Sequence, residues 1–207
     1  MKRSQIHVLL DNGHGSNTPG KRSPDGKLLE YKYAREITKY ISESLNKLNI
    51  PNSLLVPECT DISLQTRVSR ANNIYKQNKA KGITTILISI HCNALGNGTQ
   101  WMNAKGWSIW TSKGQTAGDK LADKIWEAAK EVLTPLNQTV RKEDYNDGDS
   151  DYESDFYILK KTTCPAVLTE NMFQDNKDDV EFLLSKEGKT AITKLHILGI
   201  LKYIETY

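Results

Sequence analysis

The sequence predicts a single α/β domain whose largely parallel sheet is covered by helices on both faces. Short β-branched and aliphatic runs alternate with amphipathic stretches of about ten to twenty residues, the order expected of strand–helix–strand units. The strand candidates are near-continuously apolar, as strands buried on both sides are. No internal repeat or low-complexity linker divides the 207 residues, a length that can bury one core without disulfide or metal staples.

The elements follow in order. Ile6, Val8, Leu9 and Leu10 mark a first strand over residues 6–10, which runs into Asp11-Asn12-Gly13-His14-Gly15 and further turn formers up to Gly20. Tyr33, Ile37, Ile41, Leu45 and Leu48 recur at helical spacing over 30–48, and 52–56 can form a second strand. Thr60, Asp61 and Ser63 offer caps for a helix through Leu64, Val68, Ala71 and Tyr75. A β-branched run over 84–91 ends in His91-Cys92-Asn93-Ala94, and a polar loop with Gly96 and Gly98 leads to a strand at 106–111. Leu121, Ile125, Ala129 and Val132 define a third helix.

Residues 134–155 break the pattern. Pro135 opens a stretch without apolar period, and Glu143, Asp144, Asp147, Asp149, Asp151, Glu153 and Asp155 crowd its second half. A calcium loop would need the glycine and closing glutamate of the EF-hand, so a solvated loop or lid is the reading. Order returns at 156–159, followed by a strand at 166–169 and closing helices at 180–184 and 191–204.

Composition narrows the function. Hydrophobic residues at 38% and charged residues at 26% exclude a mostly disordered chain. A net charge of +3 with scattered basic residues argues against a nucleic-acid partner. No apolar run is long enough for membrane insertion, and the start, Met1-Lys2-Arg3-Ser4-Gln5, does not read as a secretory signal. Cys59, Cys92 and Cys164, odd in number and without paired spacing, read as small core or loop residues.

Functional groups of open parallel sheets gather beyond the strand ends. Strand ends deliver His14, His91 and Glu170, and Glu30 opens the first helix. Two imidazoles and a carboxylate are a common ligand set for catalytic zinc, and a second, unbound carboxylate can move a proton. Glu170, following an apolar strand, would bring a costly charge to the edge of the core. Gly13 and Gly15 alone are weak support for a phosphate loop. His7 and His196 fall inside strand and helix patterns and are assigned to structure. Spacing alone therefore points to a zinc hydrolase.

Asp11-Asn12-Gly13-His14-Gly15, with Glu30 and Ala34-Arg35-Glu36-Ile37, resembles the opening of the zinc-dependent N-acetylmuramoyl-L-alanine amidases of type 3. Ser63-Leu64-Gln65-Thr66-Arg67-Val68, Ile88-Ser89-Ile90-His91-Cys92-Asn93-Ala94 and Pro165-Ala166-Val167-Leu168-Thr169-Glu170 extend the resemblance, in order, along nearly the whole chain. The resemblance implies one catalytic domain over 1–207 with a mixed, mostly parallel sheet. It implies one zinc ion held by His14, Glu30 and His91, with Glu170 as catalytic acid/base. The implied substrate is peptidoglycan, cut between the lactyl group of N-acetylmuramic acid and the first L-alanine of the stem peptide, by a monomer. Asn171 and Met172 depart from the small residue and glycine usual before Phe173 in that family. They and the acidic segment bear on which stems or cross-links are accepted.

Two alternatives remain. A zinc carboxypeptidase or endopeptidase could use the same ligand types, although its familiar first His and Glu lie close in sequence, unlike His14 and Glu30. A silent wall-binding module would not need all four chemical residues. A wall substrate and no leader are reconciled by a phage lysis enzyme, or by a chain that has lost its leader.

Overall fold

Strand β1 (Ile6–Asn12) is buried along both faces, with Ile6, Val8 and Leu10 in one core and Leu9 in the other. A strand of that kind belongs in the interior of a sheet, and β1 lies there. The computed structural model describes residues 1–142 and 150–206. After β1 come α1 (Glu30–Lys47), β2 (Asn52–Leu54), α2 (Leu64–Lys79), β3 (Thr84–Asn93), β4 (Ser108–Thr111) and α3 (Asp119–Leu133). Then follow β5 (Tyr152–Glu153), α4 (Tyr157–Lys161), β6 (Ala166–Phe173), α5 (Lys177–Leu184) and α6 (Lys186–Glu205).

The strands form one sheet of order β2-β1-β3-β6-β4-β5. The first four run parallel, whereas β4 is antiparallel to β6 and β5 follows β4. The mixed, mostly parallel sheet is thus as anticipated. On one face Ile37, Ile41 and Leu45 of α1 pack with Ile125 of α3 and Leu195 and Tyr203 of α6. On the other, Val68 and Ala71 of α2 and Ile158 and Leu159 of α4 cover Leu9, Leu87 and Leu168. No helix among the described residues is long and apolar enough to cross a membrane.

Two strands, β6 and β3, and the acidic segment differ from the sequence reading. Strand β6 continues to Phe173 rather than stopping at residue 169, and β3 continues to Asn93, because the two extensions pair with each other, His91 opposite Glu170 and Asn93 opposite Phe173. A bulge lies between the two pairs. His91 and Glu170 therefore stand within paired strands, not beyond their ends. Residues 157–161 form the short helix α4. The acidic segment, read as a solvated loop or lid, is tied to the sheet at its described end: Thr111 Oγ1 donates to the buried Asp151 carboxylate at 2.5 Å, and the Gly114 amide donates to Glu153 at 2.7 Å. Glu143, Asp144, Asp147 and Asp149 lie outside the described residues.

The three cysteines are free, Cys92 and Cys164 buried and Cys59 exposed. His7 bonds Ser53 Oγ at 2.8 Å across β1 and β2. His196 is buried between Thr169 Oγ1 (3.0 Å) and the Ile192 carbonyl (2.7 Å). Both are structural, as read from the sequence.

Burial pushes the His196 imidazole down to about 4 from 6.5. The unfolded chain thus takes up a proton between those values that the folded chain refuses. Stability from this residue is complete above pH 6.5 and is lost as pH falls toward 4. We expect His196→Gln to flatten the acid limb of the stability curve by at most about 3 kcal/mol, measured by urea unfolding at stepped pH. An unchanged acid limb would show that His196 does not titrate this way.

Candidate metal centre

The loop after β1 places His14 through two close approaches. A Cβ at Gly13 would strike the His91 imidazole, and one at Gly15 would strike the Asp61 backbone. These glycines let the loop lie flat against β3 and the 60–61 turn; they do not cradle a phosphate. His14 itself takes φ 58°, a left-handed conformation that costs a non-glycine residue roughly 1 kcal/mol.

Two arginines hold the loop in that shape. Arg35 donates to the His14 carbonyl at 3.0 Å and to the carbonyls of Tyr31 and Glu58. Arg67 donates to Asp11 Oδ1 and to the Asn12 carbonyl, both at 2.7 Å, and to Asp61 at 2.8 Å. Ser89 Oγ completes Asp11 at 2.6 Å. The sequence reading noted both arginines only as matches to a pattern. For Arg67 a signal existed: it falls three residues after Leu64, on the apolar stripe of α2, where a charge must find a buried partner.

Glu30 opens α1 and is fully buried. Its Oε1 lies 3.4 Å from His14 Nε2 and 3.1 Å from His91 Nδ1, and accepts from the Cys92 amide at 3.0 Å. Burial raises its carboxyl, but the hydrogen bond with His91 and the charges of both imidazoles outweigh this and hold it below its ordinary range. His91 is raised: burial alone would lower it, and Glu30 reverses the balance, with smaller contributions from Glu170 and Asp11. His14 is pushed down to about 4, chiefly by burial, which Glu30 only partly offsets.

These three side chains fit a divalent cation. One ligand atom from each can be chosen so that all lie within 4.8 Å of one another. The 3.4 and 3.1 Å separations match the roughly 3.3 Å expected between two donors about 2 Å from a shared tetrahedral ion. Glu30 Oε2 is buried with no hydrogen-bond partner, an unfilled acceptor of the kind a cation completes. A neutral, deprotonated His14 is ready to ligate. The imidazoles keep 20% and 18% of their side chains exposed, so the cluster is open on one side. That side is a cleft of about 450 Å³ walled by Ile62, Leu64, Gln65 and Tyr157. Cys92 is no donor to it: burial keeps its thiol pushed far up and protonated.

Glu170 stands on β6 opposite His91, with Ser108 of β4 on its other side. Burial, with Glu30 adding to it, pushes Glu170 up to about 7 against the opposing pull of His91 and Lys21. Its Oε2 is buried and has no partner. All four side chains singled out from the sequence therefore share one site. Asn171 fixes it from behind, donating to the His91 carbonyl at 2.9 Å and accepting from Trp107 Nε1 at 2.9 Å. Met172 takes φ 63°, which explains why glycine is usual there in the family the sequence resembles; in this chain the strain is offset by complete burial of the methionine.

A three-donor cluster recessed in an open α/β sheet, with a raised carboxylate beside it, is the form of a metal-dependent hydrolase. The chain belongs to the N-acetylmuramoyl-L-alanine amidase family of type 3, whose sequence model matches residues 8–202. It is 25% identical over 197 residues to the endolysin of Bacillus phage SPP1, covering 95% of this chain and 65% of that protein. It is 23% identical over 201 residues to the probable cell wall amidase LytH of Staphylococcus epidermidis, covering 96% of this chain and 58% of that protein. The chain thus spans less than two thirds of the length of these relatives. The fold is shared with the N-acetylmuramoyl-L-alanine amidase of Clostridium difficile 630, with TM-score 0.80, 24% identity and 99% of both chains covered. It is shared as well with Ami1 of Mycobacterium smegmatis, with TM-score 0.78, 17% identity and 100% of both chains covered.

The Arg67–Asp11 pair is almost wholly buried, with 3% and 2% of the side chains exposed. Removing one partner strands the other charge, so we expect Arg67→Met to cost about 3–5 kcal/mol. Urea unfolding measures this, and a loss under about 1 kcal/mol would mean that the arginine does not hold the loop.

Proposed function

We propose that this chain is a zinc-dependent peptidoglycan amidase that cleaves the amide between the lactyl group of N-acetylmuramic acid and L-alanine. The reading rests on one observation above the others: Glu30 lies between the His14 and His91 imidazoles, with Glu170 paired opposite His91 on the neighbouring strand and its Oε2 unpartnered, in a member of this family.

His14, Glu30 and His91 would hold the ion. The donor set of two imidazoles and a carboxylate suits zinc, which when bound acidifies a water molecule and polarises a carbonyl. Glu170 accepts the proton of the attacking water at its carboxylate and returns it to the departing alanine nitrogen. A carboxyl held near 7 suits both halves of that cycle at neutral pH. The arginines and Asn171 move no proton; they keep the His14 and His91 backbones in place. All four chemical groups come from one chain, so the site needs no second copy to complete it; we read the enzyme as a monomer acting on the cell wall outside the membrane.

Glu170→Gln is expected to keep one zinc per chain and lose at least about a hundredfold in turnover, read by metal analysis and by release of soluble muropeptides. A fully active variant removes Glu170 from the mechanism. His14→Ala and His91→Ala should each lose zinc and activity together, while retention of one equivalent of zinc by either would displace the ligand assignment. Mass spectrometry of the digest decides the bond cut: intact stems with a free alanine amine support the amidase, and shortened stems support a peptidase.

A further inference from the structure

The cleft at the cluster carries two large apolar side chains that the fold leaves uncovered. Leu64, the first residue of α2, is 47% exposed, and Tyr157, the first residue of α4, is 37% exposed. Single exposed apolar residues are ordinary on a protein surface, but these two line one cleft together with His14 and His91. Both walls are fixed. Ser63 Oγ accepts the Thr66 amide at 3.1 Å and caps α2, while Ile158 and Leu159 anchor α4 in the core. Asn72 of α2 joins the two helices, donating to the Lys161 carbonyl at 3.0 Å and accepting from the Thr163 amide at 2.8 Å. The separation of Leu64 from Tyr157 is therefore set by the fold, not by a ligand.

The polar lining limits what the cleft can take. Among the described residues around it, Arg67 is the only guanidinium or ammonium. That group is fully engaged by Asp11, Asp61 and the carbonyls of Asn12, His14 and Ile62. A carboxylate entering here would lose water and meet no free cation. Gln65 is exposed, and neither its side-chain amide nor the Tyr157 hydroxyl has a partner among the described residues. An aromatic ring, an aliphatic side chain and neutral donors and acceptors suit an uncharged ring with one apolar face and polar edges, as a pyranose has.

The substrate offers such a ring on one side of the scissile bond. The N-acetylmuramic acid ring begins three bonds from the carbonyl carbon, within roughly 4 Å, and is uncharged once its lactyl carboxyl is held in the amide. The stem peptide, on the other side, carries carboxylates. We propose that the Leu64–Tyr157 cleft is the sugar side of the site, with the N-acetylmuramic acid ring stacked on Tyr157 as a specificity residue and the stem directed away from it. The proposal rests on the amidase reading above and deepens it, because it fixes which way the substrate crosses the cluster.

The test uses the zinc-loaded chain and two substrates with the same stem, one carrying N-acetylmuramic acid and the other only the lactyl group. The unaltered chain should favour the muramoyl form in KM. Tyr157→Ala should narrow that preference about tenfold by raising KM on the muramoyl form, with kcat within about twofold, and Tyr157→Phe should keep it within about threefold. An equal rise in KM on both substrates, a loss confined to kcat, or no change overturns the proposal, since the ring would then serve the peptide, the reacting centre or nothing. Binding to Glu170→Gln, followed by NMR with the uncharged methylamide of N-acetylmuramic acid and with the sugar-free lactyl stem, separates this inference from the reading beneath it. Tyr157-dependent binding of the sugar, without turnover of muropeptides by the unaltered chain, keeps the sugar site and removes the amidase. Turnover with a Tyr157-independent KM does the reverse. Tyr157-dependent binding of the sugar-free stem assigns the cleft to the peptide and overturns the proposal.

Discussion

Burying a carboxylate without compensation costs several kcal/mol, and Glu30 is buried completely. Its position is tolerable because four neutralising features meet there: two imidazoles, the Cys92 amide and the amino-terminal end of α1, where the macrodipole favours negative charge. Even together the four leave one carboxylate oxygen without a partner. The first turn of α1, the glycine loop after β1 and the middle of the sheet are thereby locked to a common point. A site organised this way leaves a buried acceptor that the protein groups do not fill and that a cation could.

Around that point the framework is polar but rigid. Arg67 and Arg35 pin backbone carbonyls, and the buried pair with Asp11 ties α2 to the end of β1. Asn171 does the same for His91 from the opposite side. Holding His14 and His91 by their main chain leaves their rings to Glu30 and the cleft.

The sheet, its order of elements and the gathering of the four candidate residues were largely legible, because burial on both faces writes apolar runs and because each candidate follows such a run or opens a helix. What could not be read was set by pairing between distant segments. That β6 extends past Glu170 depends on its ladder with β3, and no local pattern announces a ladder partner. The helical state of 157–161 is likewise decided by packing on Leu9 and Leu168, not by five residues of propensity. Arg67 could have been recognised as a charge on an apolar stripe.

Because His91 and Glu170 hang from paired strands, their facing is a matter of parity. Leu87, Ser89 and His91 point the same way as Ala166, Leu168 and Glu170, each row held to its neighbour by register. Losing or gaining one residue inside either strand would turn the imidazole or the carboxylate to the opposite side of the sheet, among the helices packed there. Length can therefore drift over generations in the loops between strands, while the strands that carry the chemistry are closed to insertion and deletion.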